Sequence, residues 1–239
     1  MAETLLEVDG LVKRFGGFTA LNGVTLHVKR GERFGLIGPN GSGKTTLINC
    51  VSGSLRADAG TIRFAGEDLG ALPPHQRTKR GIVRSFQIPK PFSSMTVLQN
   101  LEIPLEYVGH AKSHDGRQEA MAILRDIGLE DKAHLRPAGL TQIEMRKLEL
   151  ARAMAARPKL LISDEAMAGL SSAEVDDILT ILFRLNEQGI TIIMIEHIMR
   201  AVMRFSERIV VLDAGERIAE GQPDEIVRNP AVEKAYLGE

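Results

Sequence analysis

The chain contains little cysteine, no excess of basic residues and no apolar run of membrane-spanning length. Cys50 is the single cysteine among 239 residues, so no intrachain disulfide can form, which is compatible with a reducing cytoplasm. The formal net charge of −1 gives no support for nucleic-acid binding. The most apolar run, residues 190–195, is too short to cross a bilayer, and residues 1–9 lack the features of a signal peptide. We therefore expect a chain that is soluble by itself and binds no nucleic acid.

The most informative stretch is residues 38–46, which read GPNGSGKTT. It fits the phosphate-binding pattern G-x-x-x-x-G-K-[ST], between a predicted strand at residues 32–37 and a predicted helix. Glycines allow backbone angles that turn successive N–H groups inward around an anion, and the helix start adds partial positive charge. The residues predicted to bind phosphate are Gly38, Pro39, Asn40, Gly41, Ser42, Gly43, Lys44, Thr45 and Thr46. We expect Lys44 to reach the β- and γ-phosphates and the Thr45 hydroxyl to bind Mg²⁺. An ordinary glycine-rich turn is the alternative.

Alternation patterns on both sides of this loop predict an α/β fold. Residues 5–29 alternate as strands do, with turn signals at Gly16-Gly17 and Asn22-Gly23. Together with a short strand at residues 61–64 they indicate an antiparallel β layer. Further apolar segments alternate with helices, which is typical of a largely parallel sheet. These segments lie at residues 82–86, 159–163, 190–195 and 208–212.

Helical periodicity occupies much of the region between the phosphate loop and residue 159. It begins at a capping-box pattern, Thr96 to Gln99, and is predicted to end at about Pro104. Two further helices are predicted at residues 116–127 and 142–156. We predict a single domain over residues 1–239, with a P-loop core at about 1–87 and 158–239 and a helical subdomain inserted at about 88–157.

Two adjacent acids follow the apolar strand at residues 160–163. In phosphate-loop nucleotidases such a strand lies beside the loop, and its first acid, here Asp164, holds Mg²⁺. The second acid, Glu165, is then placed to orient and polarise the attacking water. The alternative is a strand that ends in a solvated turn, but the phosphate loop upstream favours the metal-binding and catalytic interpretation.

With these two motifs in place, the chain resembles the ATP-binding-cassette (ABC) ATPases over nearly all of its length. The resemblance implies that Gln87, in the motif FQ, contacts Mg²⁺ and the attacking water and senses a membrane partner. It implies that His197, in the motif IEH, bonds the γ-phosphate or the attacking water. It also implies that Phe15 stacks on adenine. Alternatively, Gln87 merely ends a strand, His197 is a capping or core histidine, and Phe15 is a core residue.

The family's signature sequence, Leu-Ser-Gly-Gly-Gln, is altered in this chain, where residues 140–144 read LTQIE. In the family this segment faces the γ-phosphate bound by the opposite subunit of a head-to-tail dimer. Thr141 can supply the hydroxyl, and its capping-box spacing to Glu144 preserves the helix start. Ile143 replaces a glycine, so its bulk is expected to crowd the phosphate, and any positive φ there would be costly. We expect a weakened signature; the alternative is that a small backbone shift accommodates it.

Two smaller departures follow Glu165. The family's proline after the acidic pair is Ala166 here, and the family's aspartate in the next loop is Ser171. The second change is expected to weaken communication across the dimer. Ser171 also has capping-box spacing to Glu174, at the start of a helix predicted over residues 171–187, so helix capping explains this serine.

Two segments resemble the ATPase subunits of branched-chain amino acid importers, namely residues 86–92, FQIPKPF, and 229–238, NPAVEKAYLG. Urea or amide importers are similar, and kinship does not fix a cargo. The resemblance implies an ATPase using ATP and Mg²⁺, bound to the inner face of the cell membrane. Its implied partners are two permease subunits, a second cassette and a solute-binding protein acting through the permease. From the weakened signature we predict a heterodimer with a sister cassette. Competing hypotheses are a soluble non-transport ABC ATPase and a regulatory subunit that hardly hydrolyses ATP.

Overall fold

The computed structural model describes residues 3–85, 90–109 and 113–237. In these ranges strands and helices alternate along the chain. The strands are β1 (Thr4–Phe15), β2 (Phe18–Lys29), β3 (Arg33–Ile37), β4 (Ala59–Phe64), β5 (Glu67–Asp68), β6 (Ile82–Ser85), β7 (Leu160–Asp164), β8 (Thr191–Ile195), β9 (Arg208–Asp213) and β10 (Glu216–Gly221). The helices are α1 (Lys44–Ser52), α2 (Pro74–Arg80), α3 (Val97–Gly109), α4 (Ser113–Ile127), α5 (Gln142–Ala155), α6 (Ser172–Glu187), α7 (Met199–Phe205), α8 (Pro223–Val227) and α9 (Pro230–Leu237).

A four-stranded antiparallel sheet in the order β2-β1-β4-β5 forms one layer, as predicted. β2 has the alternation expected of a half-buried strand, because Val24, Leu26 and Val28 are buried while the residues between them are exposed. This buried face packs with Phe34 of β3 and Leu47 of α1 in one hydrophobic cluster. The layer therefore supports the strand and the helix on either side of the phosphate loop.

A six-stranded sheet in the order β10-β9-β3-β8-β7-β6 forms the second layer. Its strands are parallel except for β10, which pairs antiparallel with β9. The predicted α/β class, with a mostly parallel sheet and an antiparallel layer, is confirmed. Parallel neighbours end at the same edge of a sheet. The segments that follow β3, β7 and β8 are therefore brought together at one edge.

Helices α3, α4 and α5 lie between β6 and β7 in the chain and pack against one another. Leu101, Leu105, Leu124 and Leu148 are fully buried among them. This helical layer lies where the helical subdomain is predicted, and the division into core and subdomain stays a prediction. Of the helices within residues 3–85, 90–109 and 113–237, none is both long enough and apolar enough to pass through a bilayer.

Two local predictions are wrong. Asn22-Gly23 does not form a turn but lies inside β2, where the pairing with β1 shifts register and Gly23 has a φ of 72°. The Asn22 N–H donates to the Gly215 carbonyl at 2.8 Å and its side-chain amide to Glu216 at 2.6 Å, so the β9–β10 hairpin holds it. Helix α3 does not end at Pro104 but continues to Gly109, because buried leucines on both sides of the proline fix the helix against the core.

Candidate functional site

The predicted phosphate loop connects β3 to α1, and a Cβ atom at two of its glycines would collide with neighbouring backbone. Gly43 precedes α1 with a φ of 103°. A Cβ atom at Gly43 would lie 2.7 Å from the Ala20 carbonyl oxygen, and one at Gly38 would lie 2.1 Å from the Leu212 carbonyl oxygen. Both distances are shorter than a carbon–oxygen contact allows, so another residue at either position would displace the loop.

Lys44 is buried and points back into the loop. Its Nζ donates to the carbonyl oxygens of Gly38 at 2.7 Å and Pro39 at 2.9 Å, and lies 3.4 Å from Ser42 Oγ. Burial lowers the pKa of Lys44, while the carboxylates of Glu165 and Asp164 act in the opposite direction. The ammonium is thus surrounded by oxygen acceptors inside a loop built to surround an anion.

The phosphate loop forms one wall of a cavity of about 250 Å³. The residues that line this cavity are Phe15, Phe18, Ala20, Asn40, Gly41, Ser42, Gly43, Lys44, Thr45, Thr46 and Glu165. The structure therefore brings Phe15 and Glu165 to the phosphate loop, as the sequence predicts. Phe15 and Phe18 face each other across the Gly16-Gly17 turn, and both rings are exposed, by 47% and 62%.

Asp164, at the end of β7, is bonded to Arg84 of β6. Arg84 Nη2 and Nε donate to the same oxygen, Asp164 Oδ2, at 2.5 and 3.1 Å. Arg84 Nη1 donates to Asn49 Oδ1 of α1 at 2.6 Å. Both side chains of the ion pair are nearly buried, with 12% and 10% exposure, so solvent screens this pair weakly.

Glu165 and His197 are in contact at the edge of the sheet. Glu165 Oε1 lies 2.9 Å from His197 Nε2, and the Glu165 N–H donates to the Ile195 carbonyl at 2.8 Å. Glu165 has a φ of 49°, a left-handed conformation that is unusual for a residue with a Cβ. Such a conformation costs about 1–3 kcal/mol and occurs at functional sites where the surroundings enforce it.

Glu196, between Ile195 and His197, is a buried carboxyl next to this pair. It is 3% exposed, and its Oε1 accepts the Met167 N–H at 2.9 Å. Burial raises the pKa of Glu196 to about 7; Glu165 and Asp164 act in the same direction, and the Met167 and His197 N–H groups oppose it. Glu196 therefore ties the segment after Glu165 to the segment that carries His197.

Thr141 caps α5 but does not line the described cavity. The Thr141 Oγ1 accepts the Glu144 N–H at 3.4 Å, and Glu144 Oε2 accepts the Thr141 N–H at 2.8 Å, which is the predicted capping box. Ile143 is the second residue of α5, has no positive φ and packs its side chain against the core. The backbone strain considered for Ile143 is therefore absent in this chain.

Gln87 lies outside the described residues, so its predicted contacts stay a prediction. The described segment that follows it is held by two side chains. Asn100, which is fully buried, accepts the Phe92 N–H at 2.8 Å and donates to the Phe92 carbonyl at 3.1 Å. Arg152 of α5 donates to the Lys90 carbonyl at 3.0 Å. Helices α3 and α5 therefore fix the segment that leaves the predicted glutamine loop.

The donor set fits Mg²⁺ held together with nucleotide phosphates. Within the described part of the chain, no three His, Cys, Asp or Glu side chains form a metal-binding group by themselves. Mg²⁺ prefers few protein oxygens together with water and substrate phosphate oxygens. The Thr45 hydroxyl at the cavity wall and the Asp164 carboxylate supply oxygens of this kind.

Four residues of the site were not predicted from the sequence: Arg84, Asn49, Phe18 and Glu196. Arg84 lies 80 positions from Asp164, and no motif or periodicity links them. Phe18 could have been found, because it is a second aromatic residue across the Gly16-Gly17 turn from Phe15. Glu196 gave no signal because a charged residue at the end of a strand is normally solvated.

Comparison with known proteins assigns the chain to a family. The profile of the ABC transporter family matches residues 21–168, and that of the branched-chain amino acid ATP-binding cassette transporter family matches residues 216–239. The chain is 39% identical over 254 residues to the high-affinity branched-chain amino acid transport ATP-binding protein BraF of Pseudomonas aeruginosa, and the match covers 100% of both chains.

Solved structures agree with this assignment. A nucleotide-free ATP-binding cassette from an ABC transporter superposes with a TM-score of 0.90 at 34% identity, covering 99% of this chain and 100% of that one. A dimeric cassette bound to ADP and Pi superposes with a TM-score of 0.82 at 27% identity, covering 92% and 99%. The family profile, the full-length relative and the shared fold together establish that this chain belongs to the ABC transporter family, as an ATP-binding cassette.

Proposed function

We propose that this chain hydrolyses ATP and that hydrolysis energises a membrane importer for branched-chain or other amino acids. One observation carries the catalytic part of the proposal. Parallel strands that end at one edge of the sheet carry the site: Asp164 is the last residue of β7, and the buried Lys44 and the pair of Glu165 and His197 lie beyond the ends of such strands. This arrangement combines anion binding, metal binding and proton transfer in one site.

The phosphate loop binds the triphosphate of ATP. Lys44 exchanges its bonds to the Gly38 and Pro39 carbonyls for bonds to the β- and γ-phosphates, so that the buried ammonium stays hydrogen-bonded throughout. Asn40, Gly41, Ser42, Gly43 and Thr46 complete the wall of the cavity, and Phe15 stacks on the adenine ring. The 47% exposure of Phe15 supports this role.

Glu165 and His197 act on the attacking water. Glu165 orients the water and accepts its proton, while His197 restrains the Glu165 carboxylate through the 2.9 Å contact and bonds the γ-phosphate. Thr45, Asp164 and Gln87 hold Mg²⁺, which when bound offsets the negative charge that develops on the phosphates. The strained backbone at Glu165 supports a catalytic rather than a structural role for this residue.

The partners follow from the family and the described surface. We infer that the chain lies on the inner face of the cell membrane, bound to two permease subunits that receive cargo from a solute-binding protein. Phe92 and Tyr107, which are exposed by 43% and 50%, support permease docking near the predicted glutamine loop and the helical layer. The BraF relative and the match at residues 216–239 support amino acids as cargo.

We further propose a heterodimer with a sister cassette, in which Thr141 contacts the nucleotide bound by the partner. The capping box fixes the start of α5 at Thr141, so the partial positive charge of the helix N-terminus lies beside this residue, but Ile143 replaces the family's glycine. The purified chain is therefore expected to stay monomeric with ATP until the sister cassette is added, as measured by light scattering. A symmetric ATP-bound dimer of this chain alone, with rapid hydrolysis, would contradict the heterodimer.

Reconstitution tests the transport function. The chain is co-expressed with two permease subunits and a second cassette, and the complex is placed in vesicles with leucine, methionine or urea as labelled cargo. We expect ATP-dependent leucine uptake that Lys44→Ala abolishes, because the variant loses the group that holds the phosphates. A chain that hydrolyses ATP but associates with no membrane subunit would contradict the importer. Uptake of urea instead of amino acids would contradict the cargo alone.

A further inference from the structure

We propose that Arg84 is a positioning residue for the metal site, because it joins α1, the helix after the phosphate loop, to the carboxylate of Asp164 at the end of β7. The inference rests on the proposed function, in which Asp164 and Thr45 hold Mg²⁺. Arg84 is a cation and cannot bind a metal ion, so its proposed role is to position Asp164 and the helix that carries Thr45.

The contacts of Arg84 have a direction. Two of its N–H groups converge on Asp164 Oδ2, at 2.5 and 3.1 Å, and neither of these two bonds uses Oδ1. Two convergent N–H groups hold Oδ2 at the guanidinium, whereas only a bidentate pair to both oxygens would also fix the plane of the carboxylate. Arg84 thereby anchors Asp164 Oδ2 and leaves Oδ1, which neither bond uses, as the oxygen that would bind a metal ion.

The third contact reaches the other side of the site. Arg84 Nη1 donates to Asn49 Oδ1 at 2.6 Å, and Asn49 lies one helical turn after Thr45 on the same face of α1. The strand that leads into the phosphate loop, β3, is separated from β7 by β8. Arg84 therefore spans from the acidic strand to the helix that carries the predicted hydroxyl ligand.

The planar guanidinium makes this buried link specific for arginine. The side chains of Arg84 and Asp164 are 12% and 10% exposed, so the pair is held away from water. A lysine could keep the charge, but a single ammonium cannot reproduce the planar fork that contacts Asp164 and Asn49 together. Positioning and simple charge compensation thus predict different results for Arg84→Lys.

The measurement is the dissociation constant of the ATP analogue AMP-PNP, determined with EDTA and again with saturating Mn²⁺. The constant in EDTA divided by the constant in Mn²⁺ gives the factor by which the metal ion strengthens nucleotide binding. By linkage, the nucleotide strengthens metal binding by the same factor. We expect Arg84→Met to lower this ratio about tenfold, while the constant in EDTA changes less than about threefold. Arg84→Lys is expected to lower the ratio nearly as much.

Asn49→Ala provides a second variant that leaves every charge in place. It is expected to lower the ratio about threefold. The double variant with Arg84→Met is expected to have the same ratio as Arg84→Met alone, because both changes break the same Arg84–Asn49 contact. Asp164→Asn tests the underlying site. If Asp164→Asn leaves the ratio unchanged, the proposed metal site is wrong.

Three results would overturn the role of Arg84 while Asp164→Asn still lowers the ratio. One is a ratio that rises in Arg84→Met, which would make Arg84 a competitor of the metal ion. Another is a wild-type ratio in Arg84→Lys, which would show that the positive charge of Arg84 matters and its geometry does not. The third is an equal loss of affinity with and without metal in both Arg84→Met and Asn49→Ala, which would indicate general damage to the fold.

Discussion

Glu165 Oε1 and His197 Nε2 lie 2.9 Å apart, although 32 positions separate the two residues in the chain. Asp164 of β7 pairs with Ile195 of β8, and the Glu165 N–H donates to the Ile195 carbonyl, so the backbone of two parallel strands sets this distance. Each side chain limits the rotation of the other. The sheet itself therefore sets the geometry of this pair.

His197→Ala should lower kcat for ATP by about 100-fold or more, because the Glu165 carboxylate loses its neighbour and the phosphate loses a bonding group. The dissociation constant for ATP should change less than about threefold, since Lys44 and the loop are untouched. Steady-state hydrolysis and equilibrium binding measure the two quantities. His134→Ala, an exposed histidine in the helical layer, is the control and should behave as wild type. Wild-type kcat in His197→Ala would remove His197 from the mechanism.

Phe15→Ala should weaken ATP binding about tenfold, because stacking of a base on an aromatic ring contributes roughly 1–3 kcal/mol. Phe15→Tyr keeps the ring and should bind as wild type, whereas Phe15→Leu keeps bulk without a π face and should lie near Phe15→Ala. Titration with ATP in the absence of turnover gives the constants. Equal affinity in all three variants would show that Phe15 does not stack on adenine.

Glu196→Gln should change the pH dependence of stability. Burial raises the pKa of Glu196 to about 7 in the folded chain, above its ordinary value of 4.5. The protonated form therefore stabilises the fold fully below about pH 4.5, and this contribution is lost as pH rises towards and through 7.

The free energy of unfolding of wild type, relative to Glu196→Gln, should fall by about 2 kcal/mol between about pH 5.5 and pH 8. The Gln carbonyl can still accept the Met167 N–H, so the difference isolates the charge. Denaturant titrations of both proteins across this pH range measure it. A difference that stays constant with pH would contradict the buried protonated carboxyl.

Arg77→Met should destabilise the fold by about 3 kcal/mol. Arg77 is 3% exposed and donates to the carbonyls of Cys50 and Val51 at the end of α1, at 2.7 and 2.9 Å, as well as to those of Leu72 and Gly70. Its removal takes a donor from each of these carbonyls, of which the Cys50 carbonyl keeps the Gly53 N–H. Arg80→Met, on the same helix, breaks an exposed ion pair with Glu67 and one bond to the Gln76 carbonyl, at 3.2 Å, and should cost about 1 kcal/mol. Equal urea-unfolding midpoints for Arg77→Met and Arg80→Met would contradict this stabilising role of Arg77.

The sequence predicted those features that depend on local chemistry. The capping boxes at Thr141 and Ser171 and the strand–loop–helix around Lys44 are found where they were expected, because each is specified within a few residues. Asp164, Glu165 and His197 were identified by analogy with phosphate-loop nucleotidases and by the family resemblance, and the parallel pairing of β7 with β8 brings the three residues to one edge. The short helices α2 and α7, of seven residues each, were not predicted, because so few residues show no clear periodicity.

Features that depend on distant partners were missed or predicted wrongly. Asn22-Gly23 has the composition of a turn, but bonds to Gly215 and Glu216 keep it within β2. Pro104 normally ends a helix, but the burial of Leu101 and Leu105 outweighs that preference. The bonds of Arg84 to Asp164 and Asn49 exist only after the sheet has formed.

The most direct test of the site is Glu165→Gln in the chain assembled with its partners. Because Lys44, the loop glycines and Phe15 are untouched, ATP should bind with wild-type affinity and stay bound. Because position 165 then has no carboxylate to accept the proton of the water, single-turnover hydrolysis should fall by about 100-fold or more. Glu187→Gln, an exposed residue at the end of α6, should hydrolyse ATP as wild type does. Undiminished hydrolysis by Glu165→Gln would contradict the central claim.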